Sequence, residues 1–261
     1  KVSVSGDGCH IDTGALRLEL NPPGKNGVWG AVRGTGFAFE AGELIGPAIT
    51  VGGRRYTASV DETGWTIVES GPVRVIVEAK GKHRDENGDG LLDFELRISA
   101  FAGKPWLQVD YRMINREEAP EIRLDAIDLA LKPVLVKGEL RTAVATSNYE
   151  SFIDEGDGSQ RLYKLIDGEY LLYDMNEHIP ETFYGTFFAD WNDVQRGGVC
   201  ITQYQAYQNY PKSLAVDAGG IEVGILPRES DGLIFYQGMA KTHTLFFHFH
   251  SGDLSVAALN A

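Results

Sequence analysis

Cysteine is scarce: only Cys9 and Cys200 occur in 261 residues, and no CxxC pair exists. Zinc-ribbon and dithiol redox chemistry, which need closely spaced thiols, are thereby excluded. Two arrangements stay open for the pair, one long-range disulfide or two buried free thiols. No run of about 18 apolar residues is present, so no membrane-spanning helix is expected. Basic residues are in deficit, with 24 Lys and Arg against 37 Asp and Glu and a net charge of −13. A nucleic-acid partner needs a basic face that displaces counterions from phosphates, so none is expected. The acidic residues are spread along the chain and not gathered in a tail, which favours solubility and leaves Ca2+ as the metal the composition invites. Missing too are GxSxG, HExxH, a P-loop and a dinucleotide fingerprint, and no carboxylate pair stands out at the spacing glycoside hydrolysis requires. No charged n-region with an apolar h-region precedes the first strand, so location is not legible from a leader.

What the chain does have is glycine, 31 residues, and 10% aromatics, the composition of many short strands joined by tight turns. With 43% hydrophobic residues it can fill a large core. Residues 15–20 alternate apolar and polar, and NPPGKNG at 21–27 turns the chain into a second apolar run, which reads as a hairpin. Strands are expected at 46–51, 54–60 and 65–70, with GG and DETG as the turns between them. Three long runs follow at 72–82, 91–101 and 105–115, expected as an antiparallel meander. Residues 122–133 continue the sheet, 146–160 read as a long acidic loop, and further strands are expected at 183–189, 198–204, 221–226 and 239–250. No fixed-period repeat and no linker divides the chain. The expected fold is all-β, one domain over 1–261 made of two large antiparallel sheets packed face to face.

Three segments carry chemistry. The first, DENGDGLLD, sets oxygen ligands at Asp85, Asn87, Asp89 and Asp93 with Gly90 at the sharp turn of a calcium loop. Leu96 stands where the twelfth-position Glu should be, and the flanks are strands, so a polar hairpin turn is the competing reading. In the second, GMAKTHTLFFHFH at 238–250, His248 and His250 share a strand face with Phe246, and His243 shares the other with Leu245, Phe247 and Phe249. A zinc site on the two histidines lacks a third ligand. The third, QYQAYQNYPKSL at 203–214, concentrates Tyr204, Tyr207 and Tyr210 among amides that include Asn209. Aromatic faces with amide donors and acceptors suit sugar rings, and Lys241 with His243 lies where a cleft could be reached. The expected saccharide contacts are Tyr204, Tyr207, Asn209, Tyr210, Lys241 and His243.

An ordered set of stretches resembles the middle domain of exo-rhamnogalacturonan lyase-like proteins. They are IDTGALRLEL at 11–20, ESGPVRVIVEAKGKH at 69–83, FELRISAFAGKPWLQVDYRMIN at 94–115, QNYPKSL at 208–214 and GMAKTHTLFFHFH at 238–250. The resemblance implies a galactose-mutarotase-like supersandwich, normally preceded by a small barrel and followed by an (α/α) toroid that holds most catalytic residues. It further implies a secreted, periplasmic or extracellular setting, a poly- or oligosaccharide ligand, and neighbouring domains of the same protein as partners. On that reading the chain is one wall of a glycan cleft in a polysaccharide lyase and is inactive alone. A stand-alone carbohydrate-binding or extracellular assembly protein is the alternative. A galacturonate polymer would be repelled by the net charge unless local basic residues, such as Arg54 and Arg55, or bound calcium offset it.

Overall fold

The computed structural model describes residues 1–134, 137–147, 151–167 and 187–260. Five short strands open the chain and pair in sequence order: β1 (Val2–Ser5), β2 (Gly8–Asp12), β3 (Leu16–Leu20), β4 (Trp29–Gly34) and β5 (Phe37–Phe39). In β3 the residues Leu16, Leu18 and Leu20 are buried while Arg17 is exposed, the alternation of a half-buried strand.

The main sheet is built from β6 (Leu44–Val51), β7 (Arg54–Ser70), β8 (Arg74–Arg84), β9 (Gly90–Phe101), β10 (Trp106–Ile114), β12 (Ala126–Leu131), β13 (Leu140–Ser147), β14 (Ser151–Gly156), β15 (Leu162–Ile166), β16 (Phe187–Asp193), β17 (Gly197–Gln203), β18 (Lys212–Asp217), β19 (Gly220–Leu226) and β21 (Ala240–His250). Among the described residues its order is β14-β13-β16-β17-β21-β10-β9-β8-β7-β6-β12-β19-β18-β15, and every pairing is antiparallel. Strands β11 (Glu121–Leu124) and β20 (Leu233–Tyr236) form a separate ribbon, and α1 (Val256–Asn260) ends the described chain. The two ends of the long sheet meet: β13 packs on β15 and β18, and β16 packs on β18 and β19. One twisted sheet thus supplies both layers of the sandwich, a consequence of strand twist accumulated over many strands.

The five-stranded sheet closes over this core through rings. Trp29 lies 5.6 Å from Phe247, Phe37 5.7 Å from Phe249, and Phe39 6.3 Å from Trp191. A buried ion pair ties the same layers, with Arg196 donating to Glu43 and, through Nε, to the Ala38 carbonyl at 2.8 Å.

The meander expected at 72–115 is present as β8-β9-β10, with Val77 opposite Ile98 and Ile98 opposite Val109. Three expectations change. Residues 61–64 do not end a strand, because β7 runs through them with a shift of register between Val60 and Trp65. A bulge absorbs the extra residues while Val60 and Trp65 both stay in the core. The run at 122–133 divides at Asp125, sending β11 to β20 and β12 to β6. The acidic stretch 146–160 contains β14, whose Ile153 packs on Ala145 and Phe188; residues 148–150 lie outside the described set, as do 183–186 of the expected strand at 183–189. Cys9 and Cys200 are buried free thiols, in β2 and β17. Burial pushes the Cys9 thiol up to about 12. No helix among the described residues is long and apolar enough to cross a membrane.

Candidate functional site

The residues expected to touch sugar divide into three groups. At the end of β17 the chain turns through residues 204–210, with Gln205 in the left-handed region at φ 52°. The Asn209 amide hydrogen is donated to the carbonyls of Gln205 and Ala206, at 3.1 and 3.2 Å. Tyr207, in the middle of this turn, is buried and meets Phe187 edge to face at 6.5 Å, so it is core and not a contact surface. Tyr204 leaves on the outer face of the sheet, its ring 5.8 Å from Phe246. Asn209 and Tyr210 remain at the rim together with Lys241 and His243.

At this rim Lys241 Nζ donates to Asn209 Oδ1 at 2.5 Å. Lys212 lies beneath, buried, donating to the Asn209 carbonyl and to those of Pro211 and Ile225 at 3.1 and 2.7 Å. The peptide between Tyr210 and Pro211 is cis. Burial, then the charge of Lys241, brings the Lys212 amine down to about 7. Half-buried His243 is brought down to about 3 by burial and then by the two lysines. The charges acting on Lys212 and His243 are thus positive. In an acidic chain this is a local cationic cluster, suited to a carboxylate that enters from solvent past exposed Tyr210.

Lys212 is the member of this site that sequence reasoning missed. The signal was present in the alternation: Lys212, Leu214 and Val216 fall on one strand face, and the latter two are core. The basic residues nominated from sequence, Arg54 and Arg55, are already neutralised. Arg55 donates to both oxygens of Asp128 at 2.5 and 2.6 Å, and Arg54 pairs with Asp85 and Asp89.

The calcium-loop residues are not brought together. Asp85 is buried; one oxygen accepts the backbone hydrogens of Asn87 and Asp89 at 2.9 and 2.8 Å, and the other lies 3.0 Å from Arg54 Nε. Asp93 faces Arg116 at 3.2 Å and Lys82 at 3.9 Å. A guanidinium stands beside Asp85, and the Asp93 carboxylate is turned to other cations, so this arrangement does not fit Ca2+, which needs six to eight converging oxygens. Among the described residues no group of three or more His, Cys, Asp and Glu is placed to hold a metal. His250 pairs with buried Asp190 at 2.9 Å rather than with His248 around a cation.

The strand arrangement defines a class of fold first: a large antiparallel β-sandwich, shared with solved aldose-epimerase-like and alpha-galactosidase chains. A putative aldose 1-epimerase from Klebsiella pneumoniae superposes with a TM-score of 0.57 at 13% identity, over 96% of this chain and 81% of that one. The GH36 alpha-galactosidase AgaB from Geobacillus stearothermophilus gives 0.60 at 10% identity, over 97% of this chain but 41% of its own. Residues 1–141 match the family of PcRGLX-like protein central beta sandwich domains, and the chain belongs to that family. No curated protein matches the sequence.

Proposed function

We propose that the chain is the carbohydrate-handling sandwich of a polysaccharide-degrading protein, and that it forms one wall of a cleft for an acidic glycan. The reading rests on one observation, the cationic rim in which Lys241 is held by Asn209 above buried Lys212. A uronate carboxylate would take the place of water at Lys241, and Tyr210 would supply an exposed ring for the sugar's C–H face. A β-elimination needs a base beside the uronate C5 proton and donors for the enolate. The rim offers cationic donors, while the remaining catalytic groups come from neighbouring domains of the full protein.

The test is calorimetric titration with tri-galacturonate, alongside the absorbance of unsaturated uronate. Binding without product, weakened at least about tenfold by Lys241→Ala and by Asn209→Ala, is the expected result. Product formed by the isolated chain would show that the chemistry lies within it. No binding at about 10 mM would leave a scaffold that holds its neighbours in place.

A further inference from the structure

On the outer face of the main sheet two kinds of surface meet. Across β8, β9 and β10 the outward residues form a ladder of opposite charges: Arg97 with Glu78 at 2.8 Å, Arg112 with Glu95 at 3.2 Å, Lys80 with Glu95 at 3.5 Å. That is how a solvated sheet face is normally furnished. One strand further the pattern changes to rings. Trp106 of β10 stands opposite His248 of β21, their centroids 5.8 Å apart, and Phe246 follows two residues along, with Tyr204 5.8 Å beyond it. Trp106, Phe246 and Tyr204 are 46%, 37% and 54% exposed. Beyond β21, the outward Cys200 of β17 is covered by Val256 and Leu259 of α1. The rings therefore form a strip between a charge ladder and a helix-covered patch, and core packing accounts for none of them.

Polar groups line one side of the strip. Gln108 stands opposite Phe246, and Asp110 stands opposite Thr244. Gln108 Nε2 donates to Asp110 at 3.1 Å, and Thr244 Oγ1 donates to Asp110 at 2.6 Å. His248 is half-buried, and burial and then the charge of His250 bring it down to about 4, so its ring is neutral at ordinary pH. Lys104 Nζ rests 5.2 Å over Trp106, an exposed arm that a ligand on the ring can displace. From Thr244 to His248 the strand advances about 13 Å, the length of two to three pyranose rings.

We infer that this strip, Trp106, His248, Phe246 and Tyr204 edged by Gln108, Asp110 and Thr244, is a second saccharide platform that takes neutral, not acidic, sugar chains. Exposed rings meet the apolar C–H faces of equatorially substituted pyranoses, while the Gln108 amide donates to and accepts from their hydroxyls and the Asp110 carboxylate accepts from them. Asp110, in an acidic protein, turns uronates away. The platform lies on the sheet face opposite to that of His243 and does not rest on the cationic-rim reading. If both hold, the domain grips an acidic chain at its rim and a neutral one on its outer face.

Trp106 reports on the site directly, because Trp29, Trp65 and Trp191 are buried and it alone of the four tryptophans is exposed. Acrylamide quenching is followed while hexamers of β-1,4-linked glucose, galactose and xylose, with galacturonate hexamer as the acidic control, are added up to about 10 mM. At least one neutral hexamer should shield Trp106. In calorimetry its binding should weaken at least about tenfold in Trp106→Ala and Phe246→Ala, be largely kept in Trp106→Phe, and be untouched by Lys241→Ala. Three outcomes would overturn the inference: no shielding by any neutral hexamer, shielding by galacturonate that Lys241→Ala abolishes, or shielding that follows protein concentration and marks a contact between copies.

Discussion

Tyr111 and His83 share a hydrogen bond in the middle of the sandwich, the phenolic oxygen 2.7 Å from His83 Nε2, while His83 Nδ1 lies 2.7 Å from the Leu92 carbonyl. A carbonyl only accepts, so Nδ1 carries the hydrogen. Nε2 of the neutral ring is then the acceptor, and Tyr111 donates to it. Burial lowers the histidine to about 4 and raises the tyrosine, so both are uncharged near neutrality. The pair also stands beside the rim, since Tyr111 is the cross-strand partner of His243.

An acid limb of stability follows. His83 titrates at the ordinary histidine value of 6.5 when unfolded and at about 4 when folded, so between those values the unfolded chain holds the extra proton. Stability contributed by the neutral ring is complete above pH 6.5 and is lost as pH falls toward 4, about 3 kcal/mol in all. Urea unfolding at pH 7.5 and 4.5 should show a loss about that much smaller in His83→Gln than in the wild type. Equal losses in both would show that His83 is not the group responsible.

The 85–93 hairpin is held by its own cation, Arg54. Asp85→Ala should cost about 1–3 kcal/mol, because it frees two backbone hydrogens and leaves the guanidinium without its buried partner. Asp89→Ala, at an exposed pair 3.4 Å from the same arginine, should cost less than about 0.5 kcal/mol. Calcium added at about 1 mM to chelator-treated protein should leave the melting temperature unchanged; a rise of several degrees would restore the calcium-loop reading.

The strands were legible in the sequence because alternation is local. Leu16, Leu18 and Leu20, or Leu245, Phe247 and Phe249, announce their buried face without reference to anything distant. The sites were half legible for the opposite reason. The segment 203–214 was found by its tyrosines, but a turn aims neighbouring side chains independently. Tyr204 therefore went to the outer face, Tyr207 to the core and Tyr210 to solvent. Asp85 looked like a calcium ligand because nothing in 85–93 reveals that Arg54, thirty-one positions earlier in the chain, comes to rest on it. The platform around Trp106 was invisible since its rings come from β10, β21 and the turn after β17, and only the register of three strands assembles them.

The joint between the small sheet and the large one depends on Glu43 and Arg196. Glu43 also accepts the backbone hydrogens of Glu40 and, at 2.7 Å, Val134, so its carboxylate serves three partners in a buried place. Glu43→Ala or Arg196→Ala should each cost about 3–5 kcal/mol by stranding the other charge, measured by urea unfolding. The double variant should cost less than the sum of the two. Strict additivity would mean that the two side chains act separately.

The cationic rim should be tuned by pH through Lys212. Its amine titrates at about 7 in the folded protein, against 10.5 for an unhindered lysine, because burial and Lys241 both oppose its charge. An anion bound at Lys241 favours the protonated form, so by linkage the affinity for a uronate is greatest below pH 7 and declines as pH rises through 7. His243 titrates at about 3 and stays neutral throughout, so it does not contribute to a change between pH 6 and 8.5. Tri-galacturonate should therefore bind about three- to tenfold more weakly at pH 8.5 than at pH 6. Lys212→Met, which keeps the length of the side chain but cannot titrate, should bind with an affinity that is flat over that range. Lys212 also anchors the carbonyls of Asn209, Pro211 and Ile225, so the variant's melting temperature is measured alongside to separate a folding loss from a charge effect. A folded Lys212→Met protein that keeps the wild-type pH dependence would assign the titration to another group.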